Sequence, residues 1–180
     1  MTTILIFFNF LICSAPVIPE VVAKENIDAY FKWVNAEKQF ALFVEHLALK
    51  ESGGRWQIVN SIGAIGKFQF MPGTLECLGY GHITPQRFAQ DPNIFPEAVQ
   101  YKVLFALLKA NGIALRDYMH YCGLVIQGVE ITKSGLLAAC HLAGANNVKM
   151  FLNTMGKINK ADCNQTSVKT YMKEFANYGI

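Results

Sequence analysis

At 180 residues, with a net charge of +3 and 52% apolar side chains, the chain has material for one domain with a sizeable core and needs neither metal nor disulfides to hold it. No two of its lysines or arginines are adjacent, which speaks against a nucleic-acid partner, since that class uses a clustered basic patch. The four histidines, at 46, 82, 120 and 141, and the cysteines lack ligand spacing, so neither a metal nor another cofactor is expected.

The chain opens on an apolar run, ILIFFNFLIC at 4–13, too short to cross a bilayer as a helix, which takes about 20 residues. Small residues and two prolines follow, as after a signal peptide, although the first three residues carry no lysine or arginine. Residues 1–23 are therefore predicted to be a signal peptide or an N-terminal hydrophobic segment, cut after Ala15 or Ala23. Export to the periplasm or cell envelope follows; a retained segment points instead to a phage or secretion-system setting. Without it, Cys77, Cys122, Cys140 and Cys163 form an even set, compatible with two bridges in an oxidising compartment or with separate thiols.

From 24 to 50 apolar residues recur at steps of three and four, which predicts a helix, or two helices broken near Asn35. Phe40, Phe43, Val44 and Leu47 make one stripe, and the next position on it is Glu51. A carboxylate continuing an apolar face points at the core or a cleft, whereas Lys38, Glu45 and Lys50 take solvated positions. Gly53 and Gly54 then stop the helix. Residues 55–74 read as a loop. A short helix follows Pro72 over 73–78, Gly79 and Gly81 break it, and Pro85 opens the next turn. Pro96 and Glu97 start a helix over 96–111, with Val99, Val103, Leu104 and Leu107 at helical spacing. Residues 116–122 predict another short helix, 123–132 a β-hairpin or a loop. Thr132 caps a largely apolar helical stretch interrupted at Gly144, and a last helix spans 167–176. The prediction is one mainly α domain over 24–180 with a small β-hairpin.

Burial disfavours the Glu51 anion, and the negative end of a helix dipole disfavours it again. A carboxyl group that keeps its proton can give it to a glycosidic oxygen. The plainer alternative is a helix-end glutamate paired with Lys50 or Arg55.

The ordered series Glu51-Ser52-Gly53, then Gly63-Ala64-Ile65-Gly66-Lys67-Phe68-Gln69-Phe70-Met71-Pro72-Gly73-Thr74, resembles the lytic transglycosylases of the lysozyme-like superfamily, which cut peptidoglycan glycan strands. The resemblance covers the centre of the chain well and the rest weakly. It implies a lysozyme-like fold, Glu51 as general acid/base and a sugar-contacting wall over 60–74. Gly63 and Gly66 would let the backbone approach a sugar. Gln69 offers it a donor and an acceptor, or bridges loop carbonyls. One of Phe68, Phe70 and Met71 would face substrate, and Asn60 would bond the carboxylate or the sugar. A third landmark of that family is a short Ala-Tyr-Asn-Ala-Gly stretch. Its counterpart here is Cys140-His141-Leu142-Ala143-Gly144, a departure in which His141 stands for the tyrosine and Leu142 for the asparagine. His141 then orients Glu51, contacts sugar, or is buried against a backbone carbonyl. The candidate set is Glu51 for catalysis, with Ser52, Asn60, Gly66, Phe68, Gln69, Met71 and His141 for substrate.

Glycosidases usually place two carboxylates about the scissile bond, and after Glu51 the next are Glu76 and Asp91, each beyond a turn or loop. Single-acid chemistry fits better. The resemblance implies that Glu51 protonates the oxygen between N-acetylmuramic acid and N-acetylglucosamine, then takes the C6 hydroxyl proton as a 1,6-anhydro ring closes. Two alternatives stay open: a lysozyme-type hydrolase whose water is ordered by Glu76 or Asp91, and a non-catalytic wall-binding or assembly protein. The expected partner is a peptidoglycan strand, met by a monomer without a membrane span.

Overall fold

The computed structural model describes residues 24–161 and 165–180, with side chains from residue 27 onward. The expected signal peptide and Cys163 lie outside the described residues. The chain divides into two compact units, 1–35 and 36–180. In the first, the described part is the opening of helix α1 (Lys24–Ser52), which exposes Ile27, Tyr30, Phe31, Trp33 and Val34. Of the two alternatives for 24–50 the single helix is found: α1 runs through Asn35 without a break, and only the boundary between units falls there.

The second unit is mainly helical. After α1 come α2 (Pro72–Cys77), α3 (Pro85–Gln90), a 3₁₀ turn (Pro92–Ile94), α4 (Glu97–Ala114), a 3₁₀ helix (Arg116–Tyr121), strands β1 (Val125–Ile126) and β2 (Val129–Glu130), and helices α5 (Lys133–Ala143), α6 (Ala145–Asn153) and α7 (Val168–Glu174). The expected hairpin is present. It pairs Val125 with Glu130 and Ile126 with Val129, and its two turn residues, Gln127 and Gly128, both take positive φ, the geometry that matches strand twist in two-residue hairpins.

Helix α5 lies at the centre, packed against α4, α6 and α7. Every residue from Ser134 to Cys140 is buried. The Thr132 hydroxyl accepts from Gly135 N at 3.1 Å and so caps it; Gly144, at φ 79°, separates it from α6. Gly135 is where α7 comes closest: a Cβ there would stand 2.6 Å from Met172 O. Beside it Ser134 Oγ donates to Phe175 O at 2.6 Å, so a buried hydroxyl satisfies a carbonyl just past the end of α7. The α1 stripe of Phe43, Val44, Leu47 and Ala48 joins this core together with Phe68, Phe70, Phe88, Phe95, Phe151 and Phe175.

Cys77 and Cys122 are exposed, Cys140 is buried, and all three are free thiols. Two bridges among four cysteines would pair at least two of these three, so the two-bridge expectation is overturned. Burial pushes the Cys140 thiol up to about 12, which leaves it protonated at neutral pH and inert as a nucleophile. Among the described residues no helix is long and apolar enough to cross a membrane.

Candidate active site

The last turn of α1 and the segment that follows it build the cleft. Gly53 and Gly54 turn the chain at φ 65° and 78°, and residues 59–70 fold into a miniature antiparallel platform in which Ile65 bridges both Val59 and Phe70. Asn60 holds the outer bend: its Oδ1 accepts from Ile62 N at 3.0 Å and Ala64 N at 2.9 Å, a side-chain turn of the kind asparagine favours.

Three buried groups pin this platform to the helices. Ser52 Oγ donates to Lys67 O at 2.7 Å, tying it to the end of α1. Gln100, fully buried on α4, accepts from Lys67 N at 2.6 Å and donates to Trp56 O at 2.9 Å and Phe95 O at 2.8 Å. Lys67 extends its ammonium to Glu97 at 2.8 Å and lies over the Tyr101 ring. Burial alone would lower that ammonium's pKa, but hydrogen bonds with Glu97 and Tyr101 outweigh it and hold it above the usual lysine value. The pair's contribution is therefore fully present at neutral pH and is lost only as pH rises through the raised value. Ser52→Ala leaves Lys67 O without its donor inside the protein; it is expected to cost about 1–3 kcal/mol in urea unfolding.

Between the platform and helices α5 and α7 lies a cleft of about 390 Å³, whose lining includes Glu51, Asn60, Gln69, Met71, His141 and Tyr171. Glu51 is its only carboxylate among the described residues. The Tyr171 hydroxyl, from α7, donates to Glu51 Oε1 at 2.7 Å, and His141 Nε2, from α5, stands 3.9 Å from the same oxygen. Oε2 has no hydrogen-bond partner among the described residues. Neither basic neighbour pairs with Glu51. Lys50 takes Glu174 at 2.8 Å, and Arg55 Nε donates back to Ser52 O at 2.9 Å. The plain helix-end ion pair is thus absent, and Glu51 faces open space with one oxygen held and one available.

No protein-family model, curated protein or solved structure matches the chain. The chemistry of the cleft has to be read from its own residues.

Of the expected substrate contacts, Asn60, Gln69, Met71 and His141 line the cleft. Gln69, at φ 50°, donates its amide to Gly66 O at 2.8 Å, while its Oε1 has no partner among the described residues. One side of the amide fixes the loop and the other is left for a ligand. Met71 is the exposed member of the Phe68, Phe70 and Met71 set.

Three expected contacts are placed otherwise. Phe68 lies in the turn closed by the bridge between Ile65 and Phe70 and is fully buried against Phe70 and Tyr101. Ser52 is 4% exposed and spends its hydroxyl on Lys67 O. Gly66 is buried and its freedom serves the protein: it sits at φ 79° and its missing side chain leaves room for the Gln100 amide. His141 donates Nε2–H to Phe68 O at 2.8 Å, joining two of the expectations for it, a backbone carbonyl and nearness to Glu51.

Tyr171 and Gln100 were not singled out by sequence, yet each leaves a signal there. Tyr171 shares an apolar stripe with Val168, Met172 and Phe175, and a buried tyrosine hydroxyl needs a partner. Gln100 interrupts the apolar face that continues at Val103 and Leu104, and a buried amide is almost always bonded.

Proposed function

We propose that the chain is a peptidoglycan lytic transglycosylase with a lysozyme-like domain over 24–180, Glu51 being its general acid and then its base. The observation that carries this is the state of one carboxylate: half-buried at the end of a helix, in the wall of an open cleft, with Oε1 held by Tyr171 and Oε2 without a partner among the described residues. Because Oε1 accepts, the transferable proton belongs on Oε2. That proton goes to the glycosidic oxygen as the C–O bond breaks and the bonding electrons leave with that oxygen. The carboxylate then accepts the C6 hydroxyl proton while the C6 oxygen bonds to C1. No water is consumed.

Among the described residues no second carboxylate lines the cleft, which favours this over hydrolysis. Glu76 and Asp91, the two residues a hydrolase would use to order water, are exposed and neither belongs to the cleft lining. Asn60 and Gln69 supply amide groups suited to hydroxyls and N-acetyl groups, and Met71 an apolar contact. The working partner is a glycan strand; the protein acts as a monomer exported to the periplasm or envelope.

Mass spectrometry of peptidoglycan digested with the purified protein tests the reaction. Products ending in 1,6-anhydro-N-acetylmuramic acid are expected. Reducing ends would move the protein to the hydrolases, and an intact polymer would make it a wall-binding protein. Within the proposal, Tyr171→Phe keeps the ring packed on Phe175 but removes the donor to Glu51. It is expected to lower the cutting rate about 10-fold, in line with a lost bond to a group that becomes charged, with little change in melting temperature. An unchanged rate would remove Tyr171 from the mechanism.

A further inference from the structure

The His141 ring is held unevenly. Its side chain is 4% exposed, and its edge packs against Phe70 at 6.0 Å between centroids and 75° between planes. Nε2 lies 2.8 Å from Phe68 O, and since a carbonyl only accepts, that nitrogen carries a proton. The same Nε2 is 3.9 Å from Glu51 Oε1. The other ring nitrogen, Nδ1, is buried with no partner among the described residues, in a setting where buried polar atoms are as a rule satisfied. A histidine kept for packing alone would tie down both nitrogens; this one is tethered at a single atom that has two acceptors within reach.

We infer that His141 is a positioning residue whose Nε2–H rests on Phe68 O while Glu51 is neutral and turns to Glu51 Oε1 when Glu51 has given up its proton. The inference rests on the transglycosylase reading of the cleft. A shift of about 1 Å brings Nε2 from outside to within hydrogen-bond distance, and the free Nδ1 leaves no bond to break on the far side of the ring. The drive is electrostatic, because a hydrogen bond to an ionised acceptor is roughly twice as strong as one between neutral groups.

Protons balance without any transfer to or from the imidazole. Glu51 Oε2 gives its proton to the leaving oxygen, and Nε2–H joins the Tyr171 hydroxyl on Oε1 of the resulting anion. The C6 hydroxyl proton then returns to Oε2, and Nε2–H goes back to Phe68 O. The neighbouring titratable groups are Lys50 on α1 and Tyr171 and Glu174 on α7; Lys50 and Glu174 neutralise each other. Among the described residues, His141 and Tyr171 are the donors placed within 4 Å of the carboxylate.

Two measurements test this. Side-chain geometry makes His141→Gln a mimic of Nε2, His141→Asn a mimic of Nδ1 and His141→Phe a ring with no donor. On soluble glycan strands, Phe and Asn are expected to lower kcat by about 10–100-fold, the range for a donor to a charged group, with KM little changed, while Gln restores most of the rate. Equal rates in all variants, equal losses in Gln and Asn, or a loss confined to KM would overturn the inference. The second measurement follows His141 Nε2 in histidine-¹⁵N-labelled protein by NMR across pH, in the wild type and in Glu51→Gln. A step is expected in the wild type that is missing from Glu51→Gln; identical curves would overturn the inference. If the wild type leaves peptidoglycan uncut, the transglycosylase reading fails, and the NMR comparison alone decides the place of His141.

Discussion

Glu51→Gln is expected to stop glycan cutting while leaving the fold intact. The rate should fall by about 10²–10⁴-fold, the span usual for loss of a positioned acid or base. Glutamine has nearly the same volume, and its carbonyl oxygen can still accept from the Tyr171 hydroxyl that holds Oε1. It has no proton on the second atom acidic enough to give to a glycosidic oxygen, and no basicity with which to take one back. Chemistry and stability are thereby separated: urea and thermal unfolding should match the wild type, and circular dichroism should be superimposable. A Glu51→Gln protein that still produced anhydro ends at more than a tenth of the wild-type rate would sink the proposal, whichever other residue took over. A variant that lost both activity and its unfolding midpoint would show that Glu51 carries the fold, contrary to its place at the cleft wall with one oxygen unbonded.

The largest effect on stability is expected from Gly66→Ala. At φ 79° an L side chain is strained, at about 1–2 kcal/mol. The new methyl group would also be driven into the Gln100 amide, which its Cβ position overlaps. Gln100 cannot yield freely, since its amide serves Lys67 N, Trp56 O and Phe95 O together. Overpacking of a filled site adds about 1–3 kcal/mol. The sum, about 2–5 kcal/mol, is comparable with the whole stability of a small domain, so the variant should unfold at far lower urea or fail to accumulate. Gly73→Ala is the matched control. Gly73 lies in α2 with nothing within 4 Å of its would-be Cβ, so the change should stabilise by about 0.5–1 kcal/mol, the helix cost of glycine relative to alanine. Equal behaviour of the two variants would dismiss the Gln100 contact as the reason for the glycine.

What the sequence made legible is what depends on neighbours along the chain. The spacing of Phe43, Val44 and Leu47 led straight to Glu51, and Thr132 and Gly144 announced the two ends of α5. The twelve residues from 63 to 74 carried both the turn and its order. What it hid depends on neighbours in space. Tyr171 reaches Glu51 across 120 positions, and nothing local to either residue names the other. Phe68 looked fit for a sugar because an aromatic beside Gln69 serves a cleft or a core equally well, and only its packing against Phe70 and Tyr101 decides which. Ser52 and Gly66 misled in the same way: a small residue beside Glu51 or in the loop after it serves a ligand or the protein equally well, and here it serves the protein's own carbonyl and amide. Of the two readings of 24–50, the single helix holds and the alternative break near Asn35 does not, because no glycine or proline there stops a helix. Pattern marked a change of surroundings, and the backbone passed through it.

The close seam at Ser134 and Gly135 decides how the cleft can breathe. With Ser134 bonded to Phe175 O and no side chain between α5 and Met172, the two helices that carry His141 and Tyr171 form a single stiff strut. The opposite wall, with Asn60, Gln69 and Met71, is a platform pinned from behind by Ser52, Lys67 and Gln100 and tied to α5 by the bond from His141 to Phe68 O. On the proposed function, a strand entering between them meets a braced wall on either side. The Tyr171 hydroxyl stays on Glu51 from the strut side, while the imidazole spans the gap to the platform through Phe68 O.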